Sequence, residues 1–179
     1  YTISTPPQAV GLLGCDFGVK DGGVVFQKIY KGLNFEEPRR GPLGDPGVNL
    51  KDGDFLLEID GVAVKPNLNP NSLLQGKAGR YVTLTVNNKP GTEGSRKVRV
   101  RTIADETNLR YIEWVEANRK KVNDLSGGRI GYMHVPDTSI QGMIEFIKGY
   151  YSQSDKEALV VDERFNGGGM IPSFFIEKL

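Results

Sequence analysis

A chain of 179 residues, 38% hydrophobic and 25% charged, has room for one large domain or two small ones, and its ordinary globular balance excludes disorder throughout. A formal net charge of +1 excludes nucleic acid or a membrane surface as a partner held by bulk electrostatics. Apolar runs of about four residues fall far short of the ~20 needed to span a membrane. One cysteine, Cys15, and one histidine, His134, exclude an internal disulfide and the usual zinc ligand sets, so no metal and no other cofactor is expected. A Cys15–His134 nucleophilic pair stays formally open. However, Cys15 lies in an apolar, glycine-flanked segment and His134 in an expected strand, which favours inert packing. The chain starts at Tyr1 with no basic-then-apolar leader, which reads as a processed product or an excised piece. The compartment, cytoplasmic or exported, is not written in it.

Residues 1–104 read as a strand-rich unit with one or two short helices. After Gly11-Leu12-Leu13-Gly14, Cys15-Asp16-Phe17 forms the first expected strand, Asp21-Gly22-Gly23 a hairpin turn, and Val24 to Tyr30 a second strand rich in β-branched and aromatic residues. Lys31 to Pro46 is a polar, proline-rich loop. Phe55 to Ile59 and Val62 to Val64 follow as a hairpin turning at Asp60-Gly61. Asn67 to Asn71 caps a short helix carrying Leu73 and Leu74, which Gly76 ends. Arg80 to Asn87 alternates with period two, and Arg96 to Arg101 alternates cation with apolar residue, as an edge strand with one solvated face does.

The run Gly47-Val48-Asn49-Leu50-Lys51-Asp52-Gly53-Asp54-Phe55-Leu56-Leu57-Glu58-Ile59-Asp60-Gly61-Val62 resembles the hallmark of PDZ domains, and the likeness extends over about residues 10–102. PDZ domains grip an extended peptide, often a free C-terminus, as an added strand. The resemblance implies a carboxylate-holding loop at Gly11, Leu12, Leu13 and Gly14. It also implies a groove between Cys15–Phe17 and the short helix with Leu73 and Leu74. Residues 31–46 are an insertion in that pattern that lies over the groove or redirects it. A module that only braces its neighbour is the other reading.

Residues 105–127 turn helical, with Leu109, Ile112, Val115 and Val122 on one face and Asp105 or Thr107 as cap. Arg129 to Val135 is a strand stopped by Pro136. A helix capped by Asp137, Thr138 or Ser139 follows, with Ile140, Met143, Ile144, Ile147 and Tyr150 or Tyr151 spaced at three and four. Ala158 to Val161 is a short buried strand leading into Asp162-Glu163-Arg164 and the glycines 167–169, and Pro172 suits the first turn of a last helix. The order β-α-β-α calls for a parallel crossover unit. Two parallel strands make half of such a domain, and the apolar ending from Phe174 to Leu179 has no helix stop, so the native chain is expected to continue or to exchange elements with a partner. The expected fold class is α+β to α/β: a PDZ-type β-barrel or sandwich with short helices, a linker helix, and an incomplete β-α-β-α crossover unit over 128–179.

The pieces Gly128-Arg129-Ile130-Gly131-Tyr132-Met133-His134-Val135-Pro136-Asp137 and Val161-Asp162-Glu163-Arg164-Phe165-Asn166-Gly167-Gly168-Gly169 resemble the tricorn protease family, relatives of the C-terminal processing peptidases. A PDZ module, a helix and this crossover domain is also that family's order. The resemblance implies a serine nucleophile attacking a peptide carbonyl, with a backbone N–H of Gly167 or Gly168 as one oxyanion donor, a contribution of ~3 kcal/mol in such sites. It places the nucleophile downstream of Leu179 and the tricorn-type histidine upstream of the PDZ module, so neither Ser173 nor His134 takes those roles. Asp162, Glu163 and Arg164 are left as an ion pair orienting the turn or as substrate contacts. The expected partners are a peptide or protein substrate, with its C-terminus as one candidate, the remainder of the catalytic domain, and a second copy in a homo-oligomer. The other function class is a peptide-binding adaptor in which residues 105–179 are scaffold.

Overall fold

The computed structural model describes residues 9–178. Residues 1–8, the start of the first expected domain, and Leu179, the last residue of the apolar ending, lie outside the described residues. The chain forms two compact units, Tyr1–Ile112 and Glu113–Leu179.

In the first unit β1 (Cys15–Lys20), β2 (Gly23–Ile29), β3 (Phe55–Ile59), β4 (Val62–Ala63), β5 (Tyr81–Asn87) and β6 (Arg96–Arg101) make one antiparallel sheet. Its order is β1-β2-β3-β5-β6, with β4 paired to β3. Two hairpins turn on Asp-Gly. Lys20 pairs with Gly23 across Asp21 (φ 49) and Gly22 (φ 74), and Ile59 pairs with Val62 across Asp60 (φ 50) and Gly61 (φ 80). Positive φ at both central residues is the turn whose twist matches its strands. Leu12 bridges Ile103, which ties the start of the sheet to the residues after β6. The inward faces of these strands build the core around Phe26, Leu56, Ile59, Leu84 and Val100. Along β6, Val98 and Val100 point in while Lys97, Arg99 and Arg101 point out, as the alternation predicts.

Residues 31–46 are less polar in effect than their composition suggests. The segment folds into two 3₁₀ turns, Glu37–Arg39 and Pro42–Gly44, and buries Leu43 in the core. A Cβ at Gly41 would lie 2.3 Å from the Tyr30 carbonyl oxygen, so only glycine lets the segment lie this close to β2. Pro70–Leu74 is a 3₁₀ turn rather than an α-helix, capped by Asn69, whose side chain accepts the Asn71 N–H at 3.0 Å.

Helix α1 (Thr107–Ser126) begins where the Asp105 carboxylate accepts the Thr107 N–H at 2.8 Å. Its first residues belong to the first unit and the rest to the second. In the second unit β7 (Ile130–His134) and β8 (Ala158–Asp162) are parallel, paired from Ile130–Ala158 to His134–Asp162, with α2 (Ile140–Tyr151) as the crossover and α3 (Pro172–Ile176) after them. Asp137, of the three candidate caps, receives the N–H groups of Ser139 (2.8 Å) and Gly142 (2.9 Å). The apolar set expected on one face of α2 divides between two. Met143 and Tyr150 pack with Phe146, Met133, Val135 and Phe175, whereas Ile140, Ile144, Ile147 and Tyr151 are exposed. Gly142 and Gly149 explain the division, because their bare backbone is what α2 lays against the Asp137 loop and Met133. Among the described residues no helix is long and apolar enough to cross a membrane.

Candidate functional site

β1 is the end strand of its sheet, and among the described residues it pairs with β2 alone. The Tyr30 N–H donates to Gly14 O at 2.9 Å, which makes Cys15–Ile29 a pair that exchanges no backbone bonds. Accordingly the Ile29 N–H turns away and donates to Asp52 Oδ1 at 2.8 Å. The N–H and C=O of Cys15 therefore point off the free edge of β1. Facing that edge, across a groove of about 470 Å³, is the run from Pro66 to Asn71. Cys15 and Phe17 line the groove. Leu74 instead turns wholly into the core and Leu73 packs half-buried against it, so the facing wall comes from the residues just before them. No residue of 31–46 lines it.

The Gly11–Gly14 loop divides its donors. The Gly11 N–H bonds Leu74 O and the Leu12 N–H bonds Ile103 O, both at 2.8 Å. Among the described residues the N–H groups of Leu13 and Gly14 have no acceptor. Gly14 has φ 69, and a Cβ there would meet Leu109 Cδ1 at 2.8 Å, so the loop requires glycine at that point.

The rim of the groove is charged. Arg110 Nη2 reaches Asp16 Oδ1 at 2.7 Å and Glu106 Oε1 at 2.7 Å, and Arg110 Nη1 donates to the Tyr30 hydroxyl at 3.0 Å. The guanidinium stacks over the Tyr30 ring at 4.7 Å, and that hydroxyl donates to Asp16 Oδ2 at 2.6 Å. Burial pushes the Asp16 carboxyl up, but the hydrogen bonds from Arg110 and Tyr30 outweigh it and its pKa falls below the usual value. Burial and the bond to Asp16 push Tyr30 up to about 12. Burial, reinforced by Glu106 and Asp16, pushes the Cys15 thiol up, which suits packing and not nucleophilic attack.

In the second unit β8 ends at Asp162, whose side chain is closed in by four donors, one of them the Arg164 backbone N–H at 3.0 Å from Oδ1. The Arg164 guanidinium binds both its oxygens (Nε 3.0 Å to each, Nη2 2.6 Å to Oδ2), and the buried Tyr132 hydroxyl donates to Oδ2 at 2.6 Å. The Arg164 bonds hold the Asp162 carboxyl well below the carboxylate range, against the opposing effect of burial, with Tyr132 assisting. Arg164 also stacks over Trp114 at 5.0 Å, and Trp114 meets His134 edge-on at 4.9 Å. His134 Nε2 bonds Arg164 O at 2.7 Å. His134 is thus a buried strand residue, as the sequence suggests, with a share in holding the turn. That ring stack escapes sequence reading because Trp114 lies twenty positions from His134 and fifty from Arg164.

The glycine bend that follows is stitched to the loop after β7. The Gly167 N–H donates to Pro136 O at 2.9 Å, the Gly168 N–H to Asn166 Oδ1 at 2.7 Å, and the Thr138 N–H to Gly168 O at 2.9 Å. A Cβ at Gly169 (φ 157) would fall 2.3 Å from the Thr138 carbonyl, so the close approach requires glycine. Gly167, Gly168 and Gly169 are all exposed, but the two candidate donors are bonded within the chain, and among the described residues it is the Gly169 N–H that has no acceptor. Ser173 lies in the first turn of α3, and among the described residues its hydroxyl meets no basic side chain.

The profile described as "Tricorn protease PDZ domain" matches residues 11–105, more than half of the chain. The tricorn protease homolog of Saccharolobus solfataricus is 38% identical over 182 residues, covering 100% of this chain and 16% of that protein. The tricorn protease of Thermoplasma volcanium is 35% identical over 179 residues, covering 100% of this chain and 17% of that one. The chain thus spans about a sixth of the length of these curated relatives. A solved structure described as the crystal structure of the tricorn protease superposes with TM-score 0.83 at 34% identity, covering 96% of this chain and 16% of that chain. The chain belongs to the tricorn protease family, which it joins through its PDZ domain.

Proposed function

We propose that this chain is the peptide-handling part of a tricorn-type serine peptidase, with residues 1–104 as PDZ module, 105–127 as linker helix and 128–179 as the leading part of the catalytic domain. The module docks an extended peptide as an added strand along β1, and the second unit supplies the glycine bend to the catalytic centre. The nucleophile and general base come from other parts of the protein. The observation that carries the reading is the free edge of β1, with the Cys15 backbone groups facing a groove of about 470 Å³. The Leu13 and Gly14 amides, with Cys15, are the donors left for a terminal carboxylate. In the bend, Gly167 or Gly168 serves an oxyanion once its present internal bond opens, and the Gly169 amide is a donor already without an acceptor. The exposed stripe of Ile140, Ile144 and Ile147 on α2 is what the remainder of the catalytic domain covers.

Fluorescence anisotropy with labelled peptides ending in apolar residues tests the docking. Saturable binding lost on amidation of the terminal carboxylate is expected. Indifference to amidation, or no binding, removes the docking reading and leaves a module that braces. That second reading has its own support, since the Gly11 and Leu12 amides are bonded within the chain. Purified 1–179 should also hydrolyse no short peptide and take no label from a serine-directed covalent probe. Stoichiometric labelling of Ser173 overturns the placing of the nucleophile elsewhere.

A further inference from the structure

We propose that the β1 groove selects peptides carrying a basic side chain, which seats beside Glu106 and Asp16 at the groove's rim; the inference rests on the docking reading above. The charged side chains lining the groove are Asp16, Glu106 and Arg110, two carboxylates against one guanidinium. Arg110 is committed to both: its Nη2 bridges Asp16 Oδ1 and Glu106 Oε1, and its Nε adds a second bond to the same Glu106 oxygen at 2.9 Å. Asp16 Oδ2 is taken by the Tyr30 hydroxyl. Among the described residues Glu106 Oε2 accepts nothing. The rest of the lining is apolar or neutral, with Asn67, Asn69 and Asn71 as its other polar side chains.

A peptide laid along β1 displaces water from this rim and comes to lie beside the Glu106 carboxylate, whose Oε2 accepts nothing among the described residues. Lys28, the cross-strand partner of Asp16, is a further cation on the Asp16 side. An apolar or acidic ligand side chain there leaves Glu106 Oε2 without a donor in a drier site, whereas a lysine or arginine supplies one together with a positive charge. The terminal carboxylate is held by backbone amides, so charge selection belongs to a side chain and not to the chain end.

The test is a set of peptides identical but for one residue, with lysine, norleucine or glutamate placed in turn at each of the last four positions and affinity read by anisotropy. At one position lysine should bind about fivefold tighter than norleucine and glutamate weaker, the preference shrinking as salt is raised. In Glu106→Gln the ratio of lysine to norleucine affinity should fall toward one. If no position favours lysine while peptides still bind, the charge selection is wrong and docking stands. If the ratio is unmoved by Glu106→Gln, the seat assigned beside Glu106 is wrong. If no peptide binds, the docking reading fails and this inference with it.

Discussion

Asp162 shows how one residue couples stability to pH. Its carboxyl sits below the ordinary range because Arg164 and Tyr132 hold the ionised form. The stabilisation it contributes is fully present above the unfolded value of about 4 and is lost as pH falls through the folded value. Thermal melts should therefore show the midpoint dropping progressively below about pH 4, and Asp162→Asn should flatten that slope while lowering stability at neutral pH. An unchanged acid slope in the variant would remove the assignment. Tyr132 works from the opposite end. Burial and the bond to Asp162 push it up to about 12, so its contribution lasts through ordinary conditions and goes only in strong alkali. Little of this was legible in the sequence. Asp162 and Arg164 stand two apart and invite pairing, but Tyr132 reaches the pair only through the parallel ladder that sets His134 beside Asp162.

At the scale of the element, short-range chemistry was legible and long-range shape was not. The two Asp-Gly hairpins, the period-two strand β5, the cation-apolar alternation of β6 and the parallel crossover all follow from local residue order. The orientation of α2 does not, because two apolar stripes compete on one helix and only packing chooses between them. Gly149 shows the choice. In an exposed helix Gly→Ala gains roughly 0.5–1 kcal/mol, yet a Cβ here would lie 2.8 Å from Met133 Cβ. Overpacking of that kind costs about 1–3 kcal/mol, so Gly149→Ala should lower the melting temperature despite its better helix propensity. A rise would show that α2 can slide off β7 without loss. The groove was only half legible for a similar reason. β1 was visible in the sequence, whereas the wall facing it depends on a 3₁₀ turn that buries Pro70 and Leu74 and leaves Pro66 to Asn69 at the surface.

At the scale of the whole molecule, two units have cores of very different size. The first buries a continuous cluster across five strands, while the second centres on Met133, Val135, Phe146 and Phe175. Small cores are marginal, so the second unit should melt first. Trp114, the one tryptophan in the chain, packs within the second unit on His134 and Phe165 and reports on it. Its fluorescence should change at a lower temperature than the far-ultraviolet circular dichroism of the strands. Coincident transitions would mean that the two units unfold as one. The parallel pairing of β7 with β8 also has a consequence during synthesis. The β1–β2 hairpin is free to close once Ile29 has left the ribosome, because its partners are neighbours. Ile130 must wait for Ala158, and at translation speeds of about 5–20 residues per second the nascent β7 stands for a second or more without its ladder partner. Tyr132 and Met133, side chains that end up buried, are then open to chaperones, and the ribosome's pace rather than the finished fold decides how long.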